Sequence, residues 1–167
     1  NFRKIKRVQD VVRIFHEVNK EVPSKLLFVG DGPERSTAED LARELGICDE
    51  VRFVGKQEQM EDILAIADLF LLTSEYESFG LAALEAMAAG VPVVSTNAGG
   101  LGEINISGET GYLANVGDVA LMSEQAISIL KEDKTLKSFK EKAAAHARKF
   151  DIAYIVPLYE KLYERFL

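Results

Sequence analysis

Five short runs, rich in apolar residues and bounded by glycine, proline or small polar residues, constrain this chain more than any other feature. They are Lys25 to Val29 (KLLFV), Val51 to Val54, Leu69 to Thr73 (LFLLT), Pro92 to Thr96 (PVVST) and a shorter fifth at Gly111 to Ala114. Apolar runs of this length fit strands of a parallel sheet that is covered on both faces. Helical patterns lie between and around them. Val8 to Lys20 repeats Val8, Val11, Val12, Phe15 and Val18 on one face and is stopped by Val22 and Pro23; Glu34 to Leu45 is closed by Gly46. Met60 to Ala67 and Leu81 to Ala89 follow, the latter ended by Gly90, and three longer patterns run over Val119 to Lys131, Leu136 to Lys149 and Ile152 to Phe166. Alternating strands and helices predict an α/β domain with a doubly wound parallel sheet. In such sheets ligands sit at the carboxyl ends of the strands. Here those ends open into the loops Gly30 to Pro33, Gly55 to Gln57, Ser74 to Gly80 and Asn97 to Glu103.

Charge and rare residues narrow the function. The 167 residues carry a formal net charge of -7, a sign that disfavours nucleic acid and anionic membrane surfaces as broad partners. Arg3, Lys4, Lys6 and Arg7 nevertheless open the chain without an acidic residue among them, so a cationic start precedes a strongly acidic body. A single cysteine, Cys48, excludes an internal disulfide and a cysteine-rich zinc site and fits a reducing, cytoplasmic compartment. His16 and His146 have no metal-ligand spacing, and no apolar stretch approaches the roughly 18 residues of a membrane span. The opening residues lack the apolar core of a signal peptide.

The most informative stretch is Ser74 to Gly90, SEYESFGLAALEAMAAG. Glu77 falls in the loop after a strand, and Glu85 is the only charge between Phe79 and Gly90, on the helix face shared by Leu81, Leu84 and Ala88. A carboxylate there must turn to solvent, pair with an arginine or accept hydrogen bonds from a ligand such as a sugar diol. Ser78 to Leu81 begins the helix, where unpaired backbone N–H groups and the positive helix end favour phosphate. Gly80 would let such a ligand approach the backbone.

These residues resemble the family 4 retaining glycosyltransferases of the GT-B fold. Glu77 and Glu85 match that family's E-x7-E pattern, within E-S-F-G-L-x-x-L-E-A-M-A-x-G-x-P-V-V, and the likeness extends through FVGDGPER, VRFVG, AGGLGE and SGETGYL. The resemblance implies the Rossmann-like, C-terminal half of a GT-B enzyme, the domain that binds the nucleotide-sugar donor. It assigns Glu85 to the ribose hydroxyls and Glu77 to the donor sugar. Ser78, Phe79, Gly80 and Leu81 go to the sugar and diphosphate, and Val54 and Gly55 to the base. Arg3 matches the arginine that clamps the diphosphate. Its lysine partner is assigned to Lys6, with Lys4 and Arg7 as alternatives, and Glu103 is placed near the site without a role. The opening NFRKIKR most resembles the bacillithiol branch, which implies transfer of N-acetylglucosamine from a UDP-sugar to a small acceptor such as L-malate.

The same resemblance implies no cofactor and no required metal, and no Asp-x-Asp motif occurs. The basic start, which alone would read as a solvated helix end, then acquires a purpose: cations stabilise charge developing on the leaving phosphate. Transfer is expected by front-face attack, with the leaving phosphate helping to deprotonate the acceptor and no enzymic nucleophile. A hydrolytic carboxylate pair is disfavoured because both glutamates receive binding roles. Gly30-Asp31-Gly32 is too short for a dinucleotide fingerprint and reads as a turn; Tyr154, Tyr159 and Tyr163 read as packing residues, although the resemblance implies that terminal helices of this family often cross to the other domain. Only Asn1 and Phe2 precede Arg3, so residues 1–167 are expected to form one donor-binding domain that lacks its own first strand and an acceptor-binding domain before it. Such a segment is expected to be inactive by itself and aggregation-prone. A homo-oligomer is compatible with the sequence. The competing functions are a non-catalytic nucleotide-sugar binding module and an epimerase or hydrolase of the same fold.

Overall fold

The computed structural model describes residues 1–166. Among these residues, five parallel strands and seven of eight α-helices follow the predicted order. β1 (Leu26–Phe28) pairs with β2 (Val51–Phe53), and β3 (Phe70–Leu72) pairs with β4 (Val93–Thr96), which pairs with β5 (Gly111–Ala114). The helices are α1 (Val8–Glu21), α2 (Arg35–Glu44), α3 (Met60–Ala65), α4 (Leu81–Ala88), α5 (Leu101–Ile104), α6 (Val119–Leu130), α7 (Asp133–Ala147) and α8 (Ile152–Tyr163).

The strands form two hydrogen-bonded pieces, β1–β2 and β3–β4–β5. The larger piece is covered by helices on both faces, whereas the smaller is covered on one face only, with Leu27 and Arg52 exposed on the other, a departure from the sheet covered on both faces that the apolar runs predict. Val93 of β4 belongs to the cluster of Ala83, Met87, Leu101, Ile104 and Ala143 from α4, α5 and α7. The next residue, Val94, packs with Ile14, Val18, Met122 and Ile129 from α1 and α6. Because neighbouring strand residues point to opposite faces, β4 is buried on both sides, as its continuous apolar run requires. A third cluster joins Val11, Val12 and Phe15 of α1 to Ala38 and Ala42 of α2 and to Phe28 and Val51 of the smaller sheet.

Phe2 belongs to that third cluster. Its ring meets Phe28 edge-on at 5.5 Å, its N–H donates to the Asp31 carbonyl (3.0 Å), and its carbonyl accepts from Glu34 N–H (2.9 Å). A side chain on Gly32 would come within 2.6 Å of the Phe2 backbone. The Gly30 to Gly32 segment is therefore a turn that receives Phe2.

Two predicted features differ. α5 falls inside the expected Asn97 to Glu103 loop, where its four residues leave little periodicity to detect. Tyr154, Tyr159 and Tyr163 are exposed rather than packed, and α8 buries no residue at all. Its order is local: Asp151 accepts from Ala153 N–H (2.8 Å) as an N-cap, and the helix continues past Pro157.

Candidate active site

The site is built where β3 and β4 end. After the apolar residues of β3, Thr73 and Ser74 are fully buried, and each hydroxyl has a partner. Thr73 Oγ1 lies 2.9 Å from the Lys6 carbonyl and 3.0 Å from the Arg7 carbonyl. Ser74 Oγ donates to Glu77 Oε1 (2.9 Å), while Thr96 Oγ1, from the end of β4, donates to the Ser74 carbonyl (2.6 Å). A buried hydroxyl without such partners would cost about 1–3 kcal/mol, so these bonds decide the path of the loop.

From the other side the loop rests on the Asn97 to Gly100 segment. Gly100 N–H donates to the Glu77 carbonyl at 2.9 Å. A β-carbon on Gly99, whose φ is +55°, would lie 1.9 Å from that same carbonyl oxygen, and one on Gly100 would lie 2.6 Å from the Ser78 carbonyl. Gly80 also has a positive φ (+94°), but its missing β-carbon faces Leu101 and Ile104. The absent side chain there makes room for the α5 side chains.

Lys6 and Glu77 meet here. Lys6 Nζ forms an ion pair and hydrogen bond with Glu77 Oε1, across 71 residues of sequence. Lys6 lies in a 3-10 turn, Lys4–Lys6, that leads into α1 through Arg7. Arg7 itself is committed elsewhere. Its guanidinium donates to Asp10 Oδ2 (2.6 Å) and Glu75 Oε1 (3.1 Å), and the Asp10 bond above all raises its already high pKa. Of the three candidate partners for the diphosphate, Lys6 is thus the one on Glu77, Arg7 is held by two carboxylates, and Lys4 is exposed.

Beside Glu77 stands the start of α4. Gly80 occupies the N-cap position and no side chain caps the helix. The N–H groups of Ser78, Phe79, Gly80 and Leu81 have no backbone acceptor among the described residues. Four N–H groups without a backbone acceptor at a helix N-terminus, with one ammonium nearby, form a setting for an anion.

The remaining predicted residues are more dispersed. Glu85 is exposed, on a depression of about 310 Å³ shared with Leu81, Leu84, Arg148, Phe150 and Asp151. Phe79 places its ring edge-on to Phe150 at 6.2 Å. Val54 and Gly55 extend the β1–β2 ladder, since Val54 N–H donates to Phe28 and the Gly55 carbonyl accepts from Gly30; Gln57 takes the Val54 carbonyl. The Gly55 N–H is the backbone group there without a partner among the described residues. Arg3 is exposed and extended before the 3-10 turn, and Glu103 is exposed on α5.

Thr73, Ser74, Thr96, Asp10 and Glu75 were not anticipated. The signal for Thr73, Ser74 and Thr96 lay in hydroxyl residues directly following apolar runs, LFLLTS and VVST, at the carboxyl edge of a sheet; Asp10 and Glu75 carry no such signal.

The architecture belongs to a recognised group. The profile of the family described as glycosyl transferases group 1 matches residues 1–146. This chain belongs to that family. It is 48% identical over 164 residues to the N-acetyl-alpha-D-glucosaminyl L-malate synthase of Bacillus anthracis, an alignment covering 98% of this chain and 43% of that protein. It thus spans less than half the length of that relative. Its fold matches that of an S. aureus TarM mutant in complex with fondaparinux, alpha-GlcNAc-glycerol and UDP (TM-score 0.89, 21% identity, 97% of this chain and 34% of that one). It also matches sucrose-phosphate synthase from Thermosynechococcus elongatus (TM-score 0.85, 27% identity, 98% and 43%).

Proposed function

We propose that this chain is the donor-binding part of a longer retaining glycosyltransferase that moves N-acetylglucosamine from UDP to a hydroxyl of a small acceptor such as L-malate, within bacillithiol synthesis. The observation that carries the reading is the meeting of Lys6 and Glu77 with the uncapped start of α4. Similarity to the B. anthracis synthase over nearly the whole chain supports the choice of donor and acceptor.

In this reading the diphosphate lies across the N–H groups of Ser78 to Leu81. Lys6 exchanges Glu77 for a phosphate oxygen, and Arg3 adds a second cation from the extended segment. Glu77, released from Lys6, accepts from hydroxyls of the sugar. Glu85, exposed one helical turn on, accepts from the ribose, and the Gly55 N–H is offered to the base next to Val54. The bond between the anomeric carbon and the β-phosphate oxygen then breaks as the acceptor oxygen attacks from the same face. The acceptor proton passes to the departing phosphate, so charge rises where the cations and helix N–H groups stand. No metal is needed for that stabilisation.

Acceptor contacts come from a domain outside these residues. The edges of β1 and β3 are not bonded to each other, and a further parallel strand between them would join the two sheets. The segment by itself is then inactive and self-associating through open edges; a stable, reversibly refolding monomer of these 167 residues would argue otherwise. The enzyme works in the cytoplasm. No helix among the described residues is long and apolar enough to cross a membrane.

The test is product analysis with the complete enzyme, UDP-N-acetylglucosamine and L-malate, with and without EDTA. An α-linked N-acetylglucosaminyl malate plus UDP, formed equally in both, is expected. Release of free sugar, or an epimerised donor, without acceptor consumption would replace transfer by hydrolysis or epimerisation.

A further inference from the structure

We infer that Arg7 is a positioning residue: with Asp10 and Glu75 it holds the Lys4–Lys6 turn so that the Lys6 ammonium stands at the head of the anion site. The inference rests on the donor-site reading above for its catalytic consequence, but not for its geometry.

Arg7 has φ 48° and ψ 46°, and it is the only non-glycine residue with positive φ among the described residues. A side-chain-bearing residue in the left-handed region is disfavoured by contact of its β-carbon with the backbone, and it persists where its surroundings enforce it. The enforcing contacts are all present. Glu75 N–H donates to the Ile5 carbonyl (2.8 Å), and Thr73 Oγ1 meets the carbonyls of Lys6 and Arg7, so three successive carbonyls of the turn are tied to the end of β3. The Arg7 side chain closes the arrangement. One nitrogen bonds Asp10 in the first turn of α1, and another bonds Glu75, two residues before Glu77.

Asp10 is the telling member. It is buried, with its carboxylate facing Arg7 and, at 3.7 Å, Arg13. A buried carboxylate on the first turn of α1 anchors the guanidinium at the point where the chain reverses. A merely structural turn would be served as well by glycine, which adopts this conformation without penalty. Arginine at this position gives up that ease and gains a bridge between the two segments that carry Lys6 and Glu77.

The experiment compares wild type, Arg7→Gly, Arg7→Ala and Arg7→Lys in the complete enzyme with two readouts. The first is the rate of Lys6 acylation by acetic anhydride, followed by peptide mass spectrometry relative to Lys4 on the same turn. The second is the split of kcat and KM for UDP-N-acetylglucosamine.

We expect the Lys6 to Lys4 ratio to rise several-fold in Arg7→Gly and Arg7→Ala. With it, kcat should fall by about 100-fold, the scale for a reacting group displaced by an ångström, while donor KM changes less. Arg7→Lys should recover part of both. The glycine variant should lose turnover even though its backbone is relaxed, which a purely structural role would not produce. An unchanged acylation ratio, or a changed ratio with wild-type kcat, overturns the inference. A ratio altered in the variants, when the wild type itself transfers no sugar, would leave the positioning of Lys6 standing and remove the transferase reading instead.

Discussion

The turn around Lys6 and helix α8 are opposite solutions to the problem of ordering a chain segment. The turn is rich in charge, adopts a disfavoured backbone conformation, and is held by partners about 70 residues away. Helix α8 is rich in apolar residues, adopts a favoured conformation, and buries none of them; Ile152, Tyr154, Leu158 and Tyr163 are each more than half exposed. The contrast teaches that burial in this molecule does not follow hydrophobicity alone. Polar groups are taken inside at the carboxyl ends of β3 and β4, where each can be satisfied, while an amphipathic helix is left facing outward.

The strongest challenge to the comparison is removal of the cation. Lys6→Ala in the complete enzyme should lower kcat by about 100- to 1,000-fold, as for loss of one oxyanion-hole donor, with little change in thermal midpoint. Steady-state kinetics with UDP-N-acetylglucosamine check this, and near-normal turnover would make the ion pair with Glu77 structural only.

A second change attacks the support beneath Glu77. Gly99→Ala places a β-carbon against the Glu77 carbonyl, whereas Gly108, with φ +82° and nothing within 4 Å of its would-be β-carbon, tests the backbone cost alone. Gly108→Ala should destabilise by about 1 kcal/mol, and Gly99→Ala by clearly more with loss of donor binding. Denaturant titration of both variants separates the two.

Thr73→Val keeps the shape of the buried side chain and removes its hydroxyl from the Lys6 and Arg7 carbonyls. The expected cost is about 1–3 kcal/mol of stability, read from the denaturant midpoint. Equal stability would mean that the Glu75 N–H bond to the Ile5 carbonyl and the Lys6 and Arg7 side chains suffice to hold the turn.

A smaller effect concerns His146, whose Nε2 is buried without a partner and whose ring meets Phe150 at 5.4 Å. Burial, and then the charge of Lys149, lower its pKa, while the Ile104 carbonyl and Glu109 oppose the shift. The folded state therefore favours the neutral ring. Its contribution to stability is complete above the unfolded value of about 6.5 and is lost as pH falls below it. Thermal midpoints of wild type should drop between pH 7 and pH 5 more than those of His146→Phe. On α8, Leu158→Ser should change the stability of residues 1–167 by no more than about 0.5 kcal/mol, the range for substitutions without buried contacts.

The regular elements were readable in the sequence because each strand is a short apolar run ended by a small residue, and the longer helices have a periodic face, with a glycine stop after α2 and α4. The motif from Ser74 to Gly90 likewise placed Glu77 in a loop and Leu81 at a helix start. The polar brace was not readable. Nothing local to Thr73 says that its hydroxyl meets carbonyls 66 and 67 residues earlier, and nothing near Arg7 indicates which carboxylates it serves. The tyrosines of α8 failed for the converse reason. Periodicity shows that a helix has an apolar face, but not that this chain covers it.

The central claim is that Lys6 and the start of α4 receive the diphosphate, with Glu85 on the ribose and Glu77 on the sugar. It is tested most directly by titrating the complete enzyme with UDP and with UDP-N-acetylglucosamine by calorimetry. Lys6→Ala and Glu85→Ala should both weaken UDP itself. Glu77→Ala should leave UDP nearly unchanged and weaken the sugar-bearing donor. Wild-type UDP affinity in both Lys6→Ala and Glu85→Ala would contradict the account.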